Sequence, residues 1–179
     1  MMRALMLLLC LNWIQLSAQQ KNFPITSYGA KGDGKTNNTT AIQEAIDKAA
    51  AAGGGTVVIP AGKFVTGVIA LKSGVTLHLA PNAFLLATTS RKDYGPGKAS
   101  ALIVADNQHN IGITGKGTID GQGELLLKDI FDMLKKGTLK DKEWQHYNEW
   151  GQMRPEENNR PKLIAFTNCR QVTVKNVTI

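Results

Sequence analysis

The spacing of apolar residues along the chain changes from helical to strand-like near residue 55. Before that point, apolar positions recur every three to four residues, which predicts a short amphipathic helix. Thr40 and Gln43 have the spacing of a capping box at its start, and the glycines at 53–55 end it. The predicted buried face consists of Ile42, Ala45, Ile46 and Ala49.

After residue 55 the apolar residues form short runs separated by turn residues. The runs at 56–59, 64–65, 68–71 and 84–86 each predict a strand bounded by glycine, proline or serine. In the run at 75–79, Val75, Leu77 and Leu79 alternate with Thr76 and His78. Because successive side chains of a strand point to opposite faces, the three aliphatic residues are predicted to face inward.

The same local pattern returns twice. Ile111 and Ile113 repeat it 36 residues after Val75, and Val172 and Val174 repeat it 61 residues after Ile111. Recurring short β units are typical of a solenoid, in which no single coil can bury its inner face alone. The sequence therefore predicts an all-β solenoid with insertions in its loops.

One insertion is evident at about residues 124–159. Its first part, 124–136, has a helical apolar face and ends at Gly137, and its second part is polar with interleaved aromatic residues. The helical face comprises Leu126, Ile130, Met133 and Leu134, and the aromatic residues are Trp144, Tyr147 and Trp150.

Residues 1–18 have the pattern of a cleavable signal peptide. A short basic start is followed by an apolar run too short to span a bilayer, and Ala18 precedes the expected cut. Cleavage would remove Arg3 and no acid, so the net charge falls from +7 to +6. Cys169 would then be the only cysteine of residues 19–179, and we expect it to pack as a small apolar residue.

Several motifs, in order, resemble glycoside hydrolase family 28, the polygalacturonase-like enzymes. The entry segment comprises 28–36 (YGAKGDGKT) and 40–46 (TAIQEAI). The later segments are 55–62 (GTVVIPAG), 66–73 (TGVIALKS), 75–79 (VTLHL), 115–123 (GKGTIDGQG) and 160–164 (RPKLI), followed by Cys169. The resemblance extends over nearly all of residues 19–179, which we interpret as the N-terminal part of one β-helix glycosidase domain.

The resemblance implies a right-handed parallel β-helix, pectin-lyase-like, with an N-terminal capping helix and truncated at its C-terminal end. It implies inverting hydrolysis of α-galacturonide links in pectic polysaccharide, by two carboxyl groups about 6.5–9.5 Å apart. The family's catalytic signatures Asn-Thr-Asp, Asp-Asp, Gly-His-Gly and Arg-Ile-Lys do not occur in this sequence. We therefore assign no catalytic, cofactor-binding or metal-binding residue, expect no cofactor, and expect this chain by itself to be inactive.

The acids of the chain are better explained by turns than by catalysis. Asp33, Asp106 and Asp120 each lie in a turn-forming context, and such side chains usually accept hydrogen bonds from nearby backbone. Glu156 and Glu157 lie in a polar loop. His78 is predicted to face outward, His109 and His146 to lie in loops, and no spacing indicates a metal site.

Three interpretations remain open at this stage. Besides a hydrolase, the chain could be a pectate-lyase-like β-helix or a non-catalytic carbohydrate-binding β-helix. The aromatic residues of the insertion could stack on sugar rings or anchor the insertion to the core. The basic charge suits a pectic polysaccharide, although surface lysines for solubility explain it equally well.

The remaining expectations concern partners and location. No lysine-rich or arginine-rich run indicates nucleic acid, and no stable membrane anchor is expected once the leader is cleaved. We expect a monomer at full length, secreted or periplasmic.

Overall fold

The computed structural model describes residues 21–142 and 157–179, which form a solenoid of short parallel strands. The strands are β1 (Asn22–Pro24), β2 (Asp33–Asn37), β3 (Gly55–Ile59), β4 (Gly62–Thr66), β5 (Ile69–Ala70), β6 (Val75–Leu79), β7 (Ala83–Ala87), β8 (Ile103–Asp106), β9 (His109–Gly115), β10 (Thr118–Asp120), β11 (Ile164–Thr167) and β12 (Arg170–Lys175). The α-helices in this part are α1 (Thr39–Ala51) and α2 (Gly123–Lys135).

The strands stack into three sheets, one on each side of the solenoid. Sheet A has the order β1-β3-β6-β9-β12, sheet B the order β10-β7-β4-β2, and sheet C the order β11-β8-β5. Every pairing is parallel, and the chain passes from sheet C to A to B before starting the next coil. The predicted all-β solenoid is therefore confirmed.

The three segments that share the recurring sequence pattern pair with one another in register in the structure. Leu77 pairs with Ile113, and Ile113 pairs with Val174, so the three segments stack in one inward column of sheet A. Leu77 and Ile113 are fully buried, whereas Val174 is 46% exposed. The difference arises because β12 is the outermost strand of sheet A.

Helix α1 covers the first coil, as the capping-helix prediction requires. Its predicted apolar face is completely buried. The helix lies in the chain between a strand of sheet B and a strand of sheet A, where each later coil has a strand of sheet C. It therefore takes the place of the missing sheet C strand.

The predicted capping box is wrong. Asn38, the residue before α1, makes no side-chain cap bond, and Thr39 N donates instead to Asn37 Oδ1 at 2.9 Å. The Gln43 amide pairs with the backbone of β5. Its Oε1 accepts from Ala70 N at 2.8 Å, and its Nε2 donates to Ala70 O at 3.2 Å. A side-chain amide thus completes the edge of sheet C as a neighbouring strand would.

Two excursions leave the solenoid between sheets B and C, one at residues 88–102 and the other with its described parts at 121–142 and 157–163. The second contains α2, which buries Leu126, Ile130 and Leu134 as predicted, while Met133 is half-buried. The predicted leader at 1–18 and the aromatic residues Trp144, Tyr147 and Trp150 lie outside the described residues.

Candidate functional site

The described parts of the two excursions, residues 88–102, 121–142 and 157–163, form a wall between sheets B and C. Backbone and side-chain hydrogen bonds join its segments: Ala99 N donates to Asn158 O at 2.7 Å, and Arg91 N donates to Asp129 Oδ2 at 2.7 Å. Gln122 Nε2 donates to Ala87 O, which fixes the end of β10 to the end of β7. The wall is therefore tied both to itself and to the coil beneath it.

Arg91 is the centre of this wall and is only 2% exposed. Its Nε donates to Asn159 O at 3.0 Å and its Nη1 to Gly95 O at 2.9 Å, while Nη2 donates to Gly97 O. Burial lowers the pKa of the Arg91 guanidinium from its usual value. Three carbonyl dipoles replace the water that the guanidinium has lost, so we assign Arg91 a structural role.

A second buried polar group supports the same segment. The Tyr94 hydroxyl donates to Thr88 O at 2.9 Å, and the Thr88 hydroxyl donates to Asp93 Oδ2 at 2.6 Å. Burial, with a smaller contribution from the Asp93 charge, raises the pKa of Tyr94 to about 12. The phenol is therefore neutral at any physiological pH and acts as a hydrogen-bond donor.

Beside the wall, the outer face of sheet B presents an aromatic ring between polar residues. Phe84 is 37% exposed because it alternates with the buried Ala83 and Leu85. Its neighbours in register are Lys63 of β4 and Thr118 of β10. The next row along the strands contains Val65, Leu86 and Asp120. We call these six residues the aromatic face.

The aromatic face has the chemistry expected of a surface for a charged sugar. An exposed ring offers a flat apolar area to the C–H side of a pyranose, while Lys63 supplies a positive charge beside it. The sequence predicts the strand at 84–86 but not the exposure of Phe84. The sequence signal that was missed is the alternation of Phe84 and Leu86 with the alanines at 83 and 87.

The structure places Asp33 and Asp120 in the turn roles predicted for them. Asp33 Oδ1 accepts from Lys35 N and Thr36 N, both at 2.8 Å, and Oδ2 accepts from the Thr36 hydroxyl at 2.7 Å. The Thr36 hydroxyl, followed by these backbone groups, lowers the pKa of Asp33 to about 2. Asp120 Oδ1 accepts from Gln122 N at 2.8 Å.

Asp106 differs from the prediction in its partner. It ends β8 immediately before Asn107, whose backbone is left-handed, so the turn itself is confirmed. However, its carboxylate is reached by Asn168 Nδ2 of the next coil, at 3.5 Å, rather than by nearby backbone. Asp106 lines a groove on the outer face of sheet C.

The other candidate residues do not assemble into one site. Glu157 forms an ion pair with Lys162 at 3.0 Å, and His78 Nδ1 lies 3.0 Å from Thr114 Oγ1 on the outer face of sheet A. His109 was predicted to lie in a loop, but it is the first residue of β9 because its backbone carbonyl accepts from Gly74 N. Cys169 is half-buried against the core. Glu156 and His146 lie outside the described residues.

Within residues 21–142 and 157–179, no three His, Cys, Asp or Glu side chains are grouped so that they could hold a metal ion. The helices of these same ranges are all too short or too polar to cross a membrane.

Comparison with known proteins agrees with this architecture. The family model "Rhamnogalacturonase A/epimerase, pectate lyase-like" matches residues 23–145. The exo-poly-alpha-D-galacturonosidase of Dickeya chrysanthemi is 42% identical over an alignment of 136 residues, and the match covers 66% of this chain and 22% of that protein. An exopolygalacturonase of Zea mays is 41% identical over an alignment of 108 residues, and the match covers 57% of this chain and 25% of that protein.

Solved structures give the same result. The family 28 exopolygalacturonase of Yersinia enterocolitica superposes with a TM-score of 0.69 at 27% identity, over 90% of this chain and 35% of that one. The chain thus spans between about a fifth and about a third of the length of these three relatives. The fold is the right-handed parallel β-helix that the sequence predicted. The chain belongs to the rhamnogalacturonase A/epimerase, pectate lyase-like family and, as its polygalacturonase relatives show, to glycoside hydrolase family 28.

Proposed function

We propose that this chain is the front part of a polygalacturonase-type hydrolase that acts on pectic polysaccharide by inversion. The observation that carries the proposal is the 42% identity over 136 residues to an exo-poly-alpha-D-galacturonosidase. The aromatic face, with its exposed ring and adjacent lysine, supports a carbohydrate as the ligand.

Inverting hydrolysis needs one carboxylic acid to protonate the leaving oxygen and one carboxylate to activate a water on the other side of the sugar. Among the described acids, Asp33 and Asp120 bind turn backbone and Glu157 binds Lys162. None of the three is positioned as half of such a pair. We infer that the two carboxyl groups belong to coils that this sequence does not contain.

In this proposal the described residues supply a rigid base for those coils. Each additional coil would add one strand to each sheet, and sheet B already continues beyond β10 through a bridge between Thr118 and Thr178.

Sequencing of the DNA that follows the Ile179 codon tests this proposal. We expect Asn-Thr-Asp and Asp-Asp within the next coils, and an expressed longer form that releases saturated products with inverted anomeric configuration. Unsaturated products in a calcium-dependent reaction would instead establish the lyase alternative. Binding without any product from the longer form would establish the non-catalytic alternative.

We also propose that the protein is secreted or periplasmic, through cleavage of residues 1–18. The supporting feature is the basic start and short apolar run before Ala18. N-terminal sequencing of the exported protein should begin at Gln19, and a start at Met1 in the exported protein would contradict the proposal.

A further inference from the structure

The outer face of sheet A differs in charge from the other two faces of the solenoid. Its five described strands contain no aspartate or glutamate, whereas sheet B contains Asp33 and Asp120 and sheet C contains Asp106. They do contain Arg170 and Lys175, both on the exposed strand β12. The positive charge of this face is therefore not neutralised by any carboxylate of its own strands.

A groove of about 710 Å³ lies on this face. It is lined mainly by the outward side chains of β6, β9 and β12, which form two register rows. One row contains Thr76, Gly112 and Thr173, and the other contains His78, Thr114 and Lys175. Because these side chains point away from the core, a further strand beside β12 would leave the groove open.

Gly112 creates a depression in the middle of the first row. An added Cβ at this glycine would lie 3.1 Å from Thr76 Oγ1 and 3.6 Å from Thr173 O, so the two threonines border the depression on either side. Strands about 4.8 Å apart place them roughly 10 Å from each other, which leaves room for one tetrahedral oxyanion. Within residues 21–142 and 157–179, neither threonine hydroxyl has a hydrogen-bond partner.

Three basic side chains surround this depression. His78 lies on β6, Lys116 in the turn that follows β9, and Lys175 on β12. In the part of the chain that the structure describes, neither lysine forms an ion pair, and no acid lines the groove. An anion in the groove would therefore be attracted by these charges without repulsion from the lining.

The ring of His78 is held by its neighbour in the second row. Its Nδ1 lies 3.0 Å from Thr114 Oγ1. When the Thr114 hydroxyl donates to Nδ1, the proton of the neutral ring is on Nε2, which is then a donor. His78 thus adds a directed N–H to the charges of the two lysines.

We propose that this groove binds a phosphate group at the Gly112 depression, where the Thr76 and Thr173 hydroxyls donate to its oxygens and Lys116 and Lys175 balance its charge. Lysine binds phosphate as a point charge, whereas a planar carboxylate is matched best by the fork of an arginine. The described lining contains no Phe, Tyr or Trp, so a nucleobase or a sugar ring has no stacking partner there. The phosphate itself is therefore the recognised group, and the site does not depend on the proposed function.

Titration of the chain with inorganic phosphate, followed by methyl NMR, tests this proposal. We expect saturable shifts of the Thr76 and Thr173 methyl signals with phosphate, and none with sodium chloride at the same ionic strength. With the Thr76 methyl as reporter, Lys175→Gln should weaken binding about threefold and Thr173→Val about fivefold. Lys48→Gln, which removes an exposed charge on α1, should leave the affinity unchanged.

A parallel titration with glycerol phosphate distinguishes the two sources of such a group. Tighter binding of glycerol phosphate than of inorganic phosphate would identify an esterified phosphate as the ligand. The reverse order would identify free phosphate, and both orders support the site.

Several results would overturn the proposal. Absence of saturable shifts with both phosphates would do so, as would equal shifts with chloride. Equal affinities of Lys175→Gln, Thr173→Val and the unsubstituted chain would also do so. Oligogalacturonate that binds at the same methyl groups as tightly as phosphate would contradict a phosphate site and leave the proposed pectic function intact, so the two failures are distinguishable.

Discussion

At the scale of single residues, asparagine and glycine form the turns between the sheets. Asn107 and Asn168 occupy equivalent left-handed positions between sheets C and A in successive coils, with φ of 53° and 54°. Asparagine tolerates this conformation because its short polar side chain can bond locally. Such positions let the chain change direction without widening the coil.

Gly115 is the position where a side chain is least tolerable. Its φ is 119°, and an added Cβ would lie 1.9 Å from Leu79 O in the coil below. Gly115→Ala should therefore lower the free energy of unfolding by about 3 kcal/mol or more. Urea denaturation measures this effect.

Gly123→Ala is the matched control, because nothing lies within 4 Å of its added Cβ. Its effect should stay within about 0.5 kcal/mol. Equal effects of the two substitutions would show that the coils are not in the described contact.

The stability of the turn at Asp33 depends on pH and decreases in acid. Its pKa is about 2 in the folded chain and 3.8 ordinarily, so folding favours the ionised form. The stabilisation is complete above about pH 4, falls as the pH drops between 3.8 and 2, and is lost below about 2. NMR titration of the Asp33 carboxyl carbon should therefore give a midpoint near 2.

The largest cause of that low pKa is the Thr36 hydroxyl. Thr36→Val should move the midpoint upward, towards 3.8, whereas Thr36→Ser should keep it low. An unshifted midpoint in Thr36→Val would contradict this assignment.

At this scale the sequence predicted the turn roles of Asp33 and Asp120 correctly, because an Asx turn is a local feature. It did not predict the partner of the Asp106 carboxylate, which is Asn168 of the next coil. It misassigned Gln43, whose partner Ala70 lies 27 residues away. A local pattern cannot reveal which distant backbone group a side-chain amide meets.

At the scale of elements, the Gln43 amide joins helix α1 to the solenoid. Gln43→Ala would leave the N–H and carbonyl of Ala70 without their partners, at a cost of about 2 kcal/mol. Glu44→Ala, one position along on the exposed side, should cost less than about 0.5 kcal/mol. Thermal unfolding of both variants measures the difference, and equal melting temperatures would contradict the capping role.

Arg91 determines whether the wall is ordered. A lysine ammonium cannot span the carbonyls of Gly95, Gly97 and Asn159, so Arg91→Lys should destabilise this segment by about 3 kcal/mol. Hydrogen exchange at Ala99 N, which donates to Asn158 O, should become faster.

The exposed Arg170 gives the control for this substitution. Arg170→Lys should leave exchange at Ala99 N unchanged, since this exposed side chain lies on β12 of sheet A, outside the wall. Unchanged exchange in Arg91→Lys would show that other contacts hold the wall.

Both helices and strands such as β6 and β9 were predictable because each has its own apolar period, whereas β2 contains no hydrophobic residue and was not predicted. The helical part of the insertion was found in the same way, from Leu126, Ile130 and Leu134. The wall was not, since Arg91, Asp129 and Asn159 come from separate segments whose meeting depends on the whole fold.

At the scale of the molecule, stacking of coils explains both what was predicted and what was missed. The columns of sheet A followed from equivalent aliphatic positions 36 and 61 residues apart, since stacked coils must place them in register. The aromatic face and the sheet C groove did not follow, because their residues come from different coils. Phe84 forms the aromatic face only together with its neighbours on other strands, such as Lys63 and Thr118.

We propose that these coils belong to a pectic hydrolase whose catalytic carboxyl pair is not formed by the acids of this chain. Reducing-end release from polygalacturonate, measured with the 179-residue chain beside an active polygalacturonase, distinguishes the two possibilities. We expect no release above the buffer blank from the chain. Release by the chain alone would show that its own acids form the catalytic pair.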